Sequence, residues 1–140
     1  MMSLEILPVE RNRRLSEFID VPWRIPAIAR HPCWVPPLRM MVKDLVDTKT
    51  DPFYRRADRQ LWVAYRDGKV VGRIGAIENR AHNEFHGDRT GFFGFFESVD
   101  DTDVAAALLD VAAEWLKGRG LDAMRGPMNP STNHDCGTLV

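Results

Sequence analysis

Several groups of side chains in this 140-residue chain could do chemistry. Glu97 follows directly on an aromatic run, Gly91-Phe-Phe-Gly-Phe-Phe96. A partly buried carboxylate at a strand end has a raised pKa and can take a proton from an attacking amine. Its plain alternative is a strand-end carboxylate beside a helix start. Asn129, Ser131, Thr132 and Asn133 follow a predicted strand, where α/β proteins place ligand loops. Asparagine and serine offer donors and acceptors to a bound amide, and the same residues also make self-bonded turns. The sequence leaves both open.

The remaining candidates are weaker. His82 and His86 stand four apart with Glu84 between them, so a helix would turn both imidazoles to one side. The zinc-protease pattern needs Glu immediately after the first His, and no third ligand is evident. His31/Cys33 and His134/Cys136 are His-x-Cys pairs, tighter than the usual spacing of zinc ligands. We expect no metal site. Cys136 would be a nucleophile only with a lowered pKa, for which nothing in the sequence gives a cause. Trp23, Trp34, Phe53 and Tyr54 interleave with Arg24, Arg39, Arg55 and Arg56, a pattern that can bind single strands. A net charge of −1 argues against nucleic acid. The aromatics are expected to pack helices on a sheet, with the arginines solvated or paired with Asp51 and Asp58.

These residues need elements to position them. The chain is long enough for one domain, residues 1–140, and its 28% charged content is that of a globular protein. Met1 to Arg14 lacks the apolar core of a signal peptide, and no apolar run approaches the ~20 residues of a membrane span. A cytoplasmic protein without a membrane partner is expected. Leu4 to Val9 reads as an edge strand limited by Pro8, and Arg11 to Ile19 as a helix. Val21 to Arg30 reads as a second helical piece with Pro22 near its first turn, and His31 to Leu38 as an extended loop. Arg39 to Val46 suits a short amphipathic helix.

Further on, Leu61–Tyr65 and Lys69–Ile77 flank Asp67-Gly68, a strong hairpin signal. Gly72 and Gly75 inside the second strand indicate a bulge or a close backbone approach. Asn79 to Arg89 reads as a polar loop. Thr90 to Val99, with phenylalanines on both faces, reads as the central strand. Asp101 or Thr102 then caps a helix with Val104, Leu108, Val111, Ala112, Trp115 and Leu116 on its buried face, stopped by Gly118 and Gly120. Leu121–Arg125 predicts a strand parallel to the aromatic one, and Gly126 onward a turn-rich segment. The fold class is α/β with a mixed sheet.

This order resembles the amino-terminal part of the GNAT acyltransferase superfamily. More narrowly it resembles bacterial GNAT-like proteins carrying stretches such as Trp34-Val-Pro-Pro-Leu38, Ala81-His-Asn-Glu-Phe-His86, Gly91-Phe-Phe-Gly-Phe-Phe-Glu97 and Gly126-Pro-Met-Asn-Pro-Ser-Thr-Asn133. The resemblance implies transfer of an acetyl or other acyl group from coenzyme A to the amine of a small molecule or peptide. It assigns pantetheine to the backbone around Phe95, Phe96, Ser98 and Val99, with Thr102 at the helix start. Glu97, or a water it orients, becomes the base, and Asn129, Ser131 and Asn133 the acceptor loop. Two features depart from the pattern. Active members typically hold the pyrophosphate on a basic, glycine-rich turn, whereas Ser98-Val-Asp-Asp-Thr-Asp103 has three carboxylates and no glycine. The superfamily fold also continues beyond this last strand, to a helix that often supplies a tyrosine acid. We therefore expect the amino-terminal part of a longer protein, or a truncated reading frame. The alternative function is a non-catalytic scaffold or binding module, working as a homodimer or beside a second GNAT-like half.

Overall fold

Alternation along the long strands divides the core into two layers, because successive side chains of a strand point to opposite faces. The computed structural model describes residues 3–10 and 14–137. Strand β2 (Ala57–Arg66) sends Leu61 and Val63 to one side and Trp62 and Ala64 to the other. It pairs antiparallel with β3 (Lys69–Asn79) through a turn in which Asp67 and Gly68 both have positive φ (51° and 77°), as a tight type I′ hairpin requires. Strand β1 (Leu4–Pro8) adds antiparallel to β2, and among the described residues no strand pairs with its other edge. On the far side β3 pairs antiparallel with β4 (Thr90–Ser98), and β4 pairs parallel with β5 (Ala123–Arg125). The order is β1-β2-β3-β4-β5, so β3 is the middle strand and the aromatic strand stands one place off centre. The strand expectation thus shifts by one, while the parallel step holds.

One layer is covered by α1 (Leu15–Arg24), α2 (Pro26–Ala29) and α3 (Arg39–Val46); Phe18, Val21 and Val46 of the helices, with Ile25 between α1 and α2, bury against Leu61, Val63 and Phe95. The first residues of the expected Arg11 helix lie outside the described residues. The helical break falls at Ile25, not between Asp20 and Val21, so Pro22 sits inside α1. Proline there has no N–H for the carbonyl of Phe18, four residues back, and that orphaned acceptor is served by Arg73 (Nη1–O 2.8 Å).

The opposite layer is one helix, α4 (Arg80–His86) being a short surface element. Helix α5 (Thr102–Gly118) buries Val104, Leu108, Ala112 and Leu116 on the sheet. Each such side chain contributes about 1.5–3 kcal/mol when large and fully buried, less for alanine. The strand glycines let this helix sit close. A Cβ on Gly91 would lie 2.6 Å from Leu116, and one on Gly72 2.8 Å from Leu108 and from the Glu97 carbonyl. Close approach is therefore the reason for Gly72, and a register shift between Arg73 and Gly75 marks the bulge beside it.

Two segments expected to be irregular are ordered elements. Arg80–His86 forms α4: Asn79 Oδ1 accepts from the His82 N–H, and Gly87 closes the helix at φ 63°. Its lack of an apolar stripe hid it, since it buries no residue and leaves Phe85 85% exposed. After Gly126 the chain forms a small hairpin of β6 (Met128–Asn129) and β7 (Asp135–Cys136). Strand β6 lies so tightly on β4 that a Cβ on Gly94 would overlap the Met128 carbonyl. Gly94→Ala should therefore cost about 3 kcal/mol, read as a lower urea midpoint.

Candidate functional site

The aromatic strand changes face at Phe95. Gly94 pairs with Gly75 and Glu97 with Arg73, so Phe95 and Phe96 together oppose Ile74 alone, and Phe95 takes φ 55°. This is a β-bulge, which re-aims the side chains that follow it. Phe95 turns into the α1 layer and meets Phe18 edge-on at 6.0 Å. Phe96 and Glu97 are turned to an open cavity of about 670 Å³.

The cavity has two walls. Ala27, Ile28, His31 and Trp34, from α2 and the loop after it, form one. The other runs from Phe96 through Glu97, Ser98 and Val99 into the first turn of α5, including Asp100, Asp101 and Thr102. Its character is an apolar slot with a carboxylate rim. Burial pushes the Glu97 carboxyl above its ordinary range, partly offset by the Arg73 guanidinium on the neighbouring strand. Arg73 is 6% exposed, and burial lowers its pKa to about 10, with Glu97 opposing the shift. Arg73 donates to the Phe95 carbonyl (Nε–O 2.8 Å) as well as to Phe18. It thereby ties the bulge to the proline-interrupted turn of α1. Sequence reasoning missed Arg73, although an arginine inside the apolar run Val70-Val-Gly-Arg-Ile-Gly-Ala-Ile77 was its signal.

Of the residues assigned to a cofactor, Phe96, Ser98, Val99 and Thr102 line the cavity, and the Phe95 side chain does not. The backbone N–H of Phe95 is already used: it donates to Asn129 Oδ1 at 2.6 Å. Asn129 thus acts on the bulge from β6. Asn129→Ala should strand that N–H and cost about 1–3 kcal/mol, checked by denaturant unfolding. Ser131 is buried, its hydroxyl 2.7 Å from His134 Nδ1 and accepting from the Asn133 N–H at 3.2 Å. Ser131 and Asn133 are bonded within their own turn and are not brought to the cavity.

The turn into α5 is poorly suited to a pyrophosphate. Asp101 caps the helix by accepting from the Asp103 N–H (2.9 Å) and pairs with Arg66 at 3.0 Å. The helix start and its nearest cation are therefore engaged with a carboxylate of the chain itself, and Asp100 and Asp103 add like charge to any anion. The residues present do not fit the phosphate end of coenzyme A.

The other candidates are placed as follows. Helix α4 does bring His82 and His86 together (ring centroids 4.4 Å), with His82 Nε2 3.5 Å from Asp88. Among the described residues no group of three His, Cys, Asp or Glu side chains is placed to hold a metal ion. Cys33 and Cys136 are exposed free thiols. Trp23 packs edge-on to Trp34 at 5.4 Å, and Arg39 stacks 3.9 Å over Trp23 while pairing with Asp20 at 2.7 Å. Asp58 pairs instead with Arg119 (2.8 Å), from the end of α5, and Asp51 caps the turn at Pro52–Arg55. Among the described residues no helix is long and apolar enough to cross a membrane.

The architecture around this cavity is that of known proteins. No family model matches the chain. It superposes on a tandem GNAT protein from the clavulanic acid biosynthesis pathway with TM-score 0.61, at 18% identity, covering 84% of this chain and 34% of that one. An aminoglycoside acetyltransferase from an uncultured soil metagenomic sample gives TM-score 0.60 at 13% identity, covering 87% and 75%. An acetyltransferase from Streptococcus agalactiae gives 0.57 at 16%, covering 86% and 70%. The chain has the GNAT fold, a mixed α/β sheet.

In sequence it is 38% identical over 139 residues to the bacterial ceramide synthase of Caulobacter vibrioides, across 99% of this chain and 36% of that protein. It is 37% identical over 109 residues to Protein YghO of Escherichia coli, across 78% of this chain and 28% of that protein. The chain spans about a third of the length of the curated relatives it matches.

Proposed function

We propose that the chain is a GNAT-like domain of an acyl-coenzyme A-dependent N-acyltransferase and contributes the amine-acceptor side of the site, as one domain (1–140) of a longer protein. The observation that carries this reading is the cavity itself. A half-buried carboxylate, Glu97, stands at its wall with a pKa raised by burial, and further carboxylates rim it. Such a slot favours a cationic amine over a phosphate, and a carboxylate with a raised pKa can accept the ammonium proton that must leave before attack. Coenzyme A would supply the activated acyl thioester. The turn into α5 does not fit its phosphates. The segment Phe96, Ser98, Val99 and Thr102 remains the candidate for contact with the pantetheine arm. Similarity to a protein named as a ceramide synthase supports acyl transfer to nitrogen.

Acetyl- and longer acyl-coenzyme A titrations by calorimetry, on this chain and on the longer native protein, test the reading. Binding to the longer form with little or none to residues 1–140 is the expected result. Absence of binding to the longer form would overturn it. The second reading, a non-catalytic GNAT-like half, is favoured by Asn129 occupying the Phe95 N–H and by similarity to one part of a tandem GNAT protein. Full activity in a Glu97→Gln variant of the longer protein would select it.

A further inference from the structure

Beside the cavity lies a surface that the acyl-transfer reading does not use. Residues 35–41, Val-Pro-Pro-Leu-Arg-Met-Met, are exposed without interruption. Within them Val35 is 83% exposed, Leu38 64%, Met40 70% and Met41 58%, which makes this the main concentration of exposed large apolar side chains among the described residues. Four apolar residues grouped on seven positions exceed the scattered exposure normal for a soluble surface. The segment is also held in place from below. Helix α3 buries Val42 and Val46 in the core, Arg39 is fixed by Asp20 and Trp23, and Trp34 packs on Trp23.

Charge identifies the occupant. The whole chain has 19 basic and 20 acidic residues, yet from Val21 to Lys43 the only formal charges are Arg24, Arg30, Arg39 and Lys43. All four are exposed; the carboxylates that flank them are Asp20, which pairs with Arg39, and Asp44, exposed beside Lys43, so the cations are in excess. Exposed apolar side chains accompanied by an excess of exposed cations, on a short helix and its leading loop, are the composition of a segment that lies in a bilayer interface. We infer that Val35–Met41 docks on an anionic lipid surface, Leu38, Met40 and Met41 entering the acyl boundary and Arg24, Arg30 and Lys43 meeting headgroups. Trp34, the residue directly before this segment, stands in the cavity wall, so docking would set the cavity mouth close to the lipid surface. The carboxylates belong to the opposite wall of the cavity, and Asp101 is neutralised by Arg66. The inference stands independently of the reaction.

Co-sedimentation of the full-length protein with phosphatidylcholine vesicles, alone or mixed with phosphatidylglycerol, tests it. Binding should require phosphatidylglycerol and weaken with salt. The double change Leu38→Asp/Met41→Asp should reduce partitioning about tenfold or more, and Arg30→Glu or Lys43→Glu about fivefold each. These positions are exposed, so the variants should unfold at the same temperature as the parent. No binding to mixed vesicles, or binding unchanged in the double variant, overturns the inference. So does a dimer in sedimentation velocity that Leu38→Asp abolishes, since a second copy is then the occupant. Vesicle binding by residues 1–140 but not by the full-length protein overturns it too, because the rest of the protein would then cover the patch.

Discussion

Arg73→Met should lower the unfolding free energy by about 2–5 kcal/mol, read as a lower denaturant midpoint with an unchanged slope. Methionine keeps much of the arginine's apolar length, so the expected loss comes from hydrogen bonds more than from packing. Two carbonyls lose their donor at once: Phe95 at the bulge and Phe18 in α1. Each buried acceptor left unsatisfied costs about 1–3 kcal/mol. The Phe18 carbonyl lacks a helical donor because position 22 is proline, and this gives the prediction an internal control. Pro22→Ala restores an N–H at the right spacing. In the Arg73→Met background it should return about 1–3 kcal/mol, whereas in the parent protein, where Arg73 already serves that carbonyl, it should return much less. A double-mutant cycle with no coupling would rule out this account of the buried arginine. A second readout follows from charge. Arg73 holds the Glu97 pKa down against burial, so Glu97 should titrate at higher pH in Arg73→Met than in the parent, followed by carboxyl NMR.

The same pair explains why the fold was more legible in the sequence than the site. Strands β2 and β3 announced themselves through Asp67-Gly68 and period-two alternation, and α5 through its apolar stripe between Asp101 and Gly118. All are local signals. The cavity depends on things that are not local. Pro22 reads as a helix start by propensity, and only the tertiary donor from Arg73, 51 positions further on, lets it sit inside α1. The bulge at Phe95 is settled by Arg73 and Asn129 acting from β3 and β6, and no pattern within the aromatic run marks where it falls. Helix α4 was missed for a different reason. Its two caps were present in the sequence, but Arg-Ala-His-Asn-Glu-Phe-His has no apolar face, and periodicity outweighed capping. Glu97 lines the cavity, and its place directly after a buried strand was legible in the sequence because a carboxylate there has few places to go. At Ser131 to Asn133 the sequence left ligand loop and self-bonded turn open, because the residues that do either are chemically the same, and the structure shows the bonds of the turn.

Glu97→Gln should move activity and stability in opposite directions. In the longer native protein, kcat/KM for amine acylation should fall by about 100–1,000-fold, the range for removing a general base. The rising limb of the pH profile, set by deprotonation of Glu97, should vanish with it. Stability should increase, and the sign follows from linkage. The folded-state pKa of Glu97 lies above the model-peptide value of 4.5, so between those two values the native state binds more protons than the unfolded chain. Unfolding free energy therefore falls as pH rises through that window, and the penalty persists at neutral pH. Glutamine, uncharged at every pH, removes the penalty. The variant should be more stable than the parent at neutral pH and should lose that advantage once pH drops below the unfolded glutamate value of 4.5. A carboxylate that merely supported the fold would give the reverse, with stability lost on neutralisation. A strand-end glutamate that lines an open cavity and is kept at a stability cost fits the proposed base. If the variant gains stability and keeps full activity, the cost has another cause and the non-catalytic reading of this GNAT-like domain takes its place.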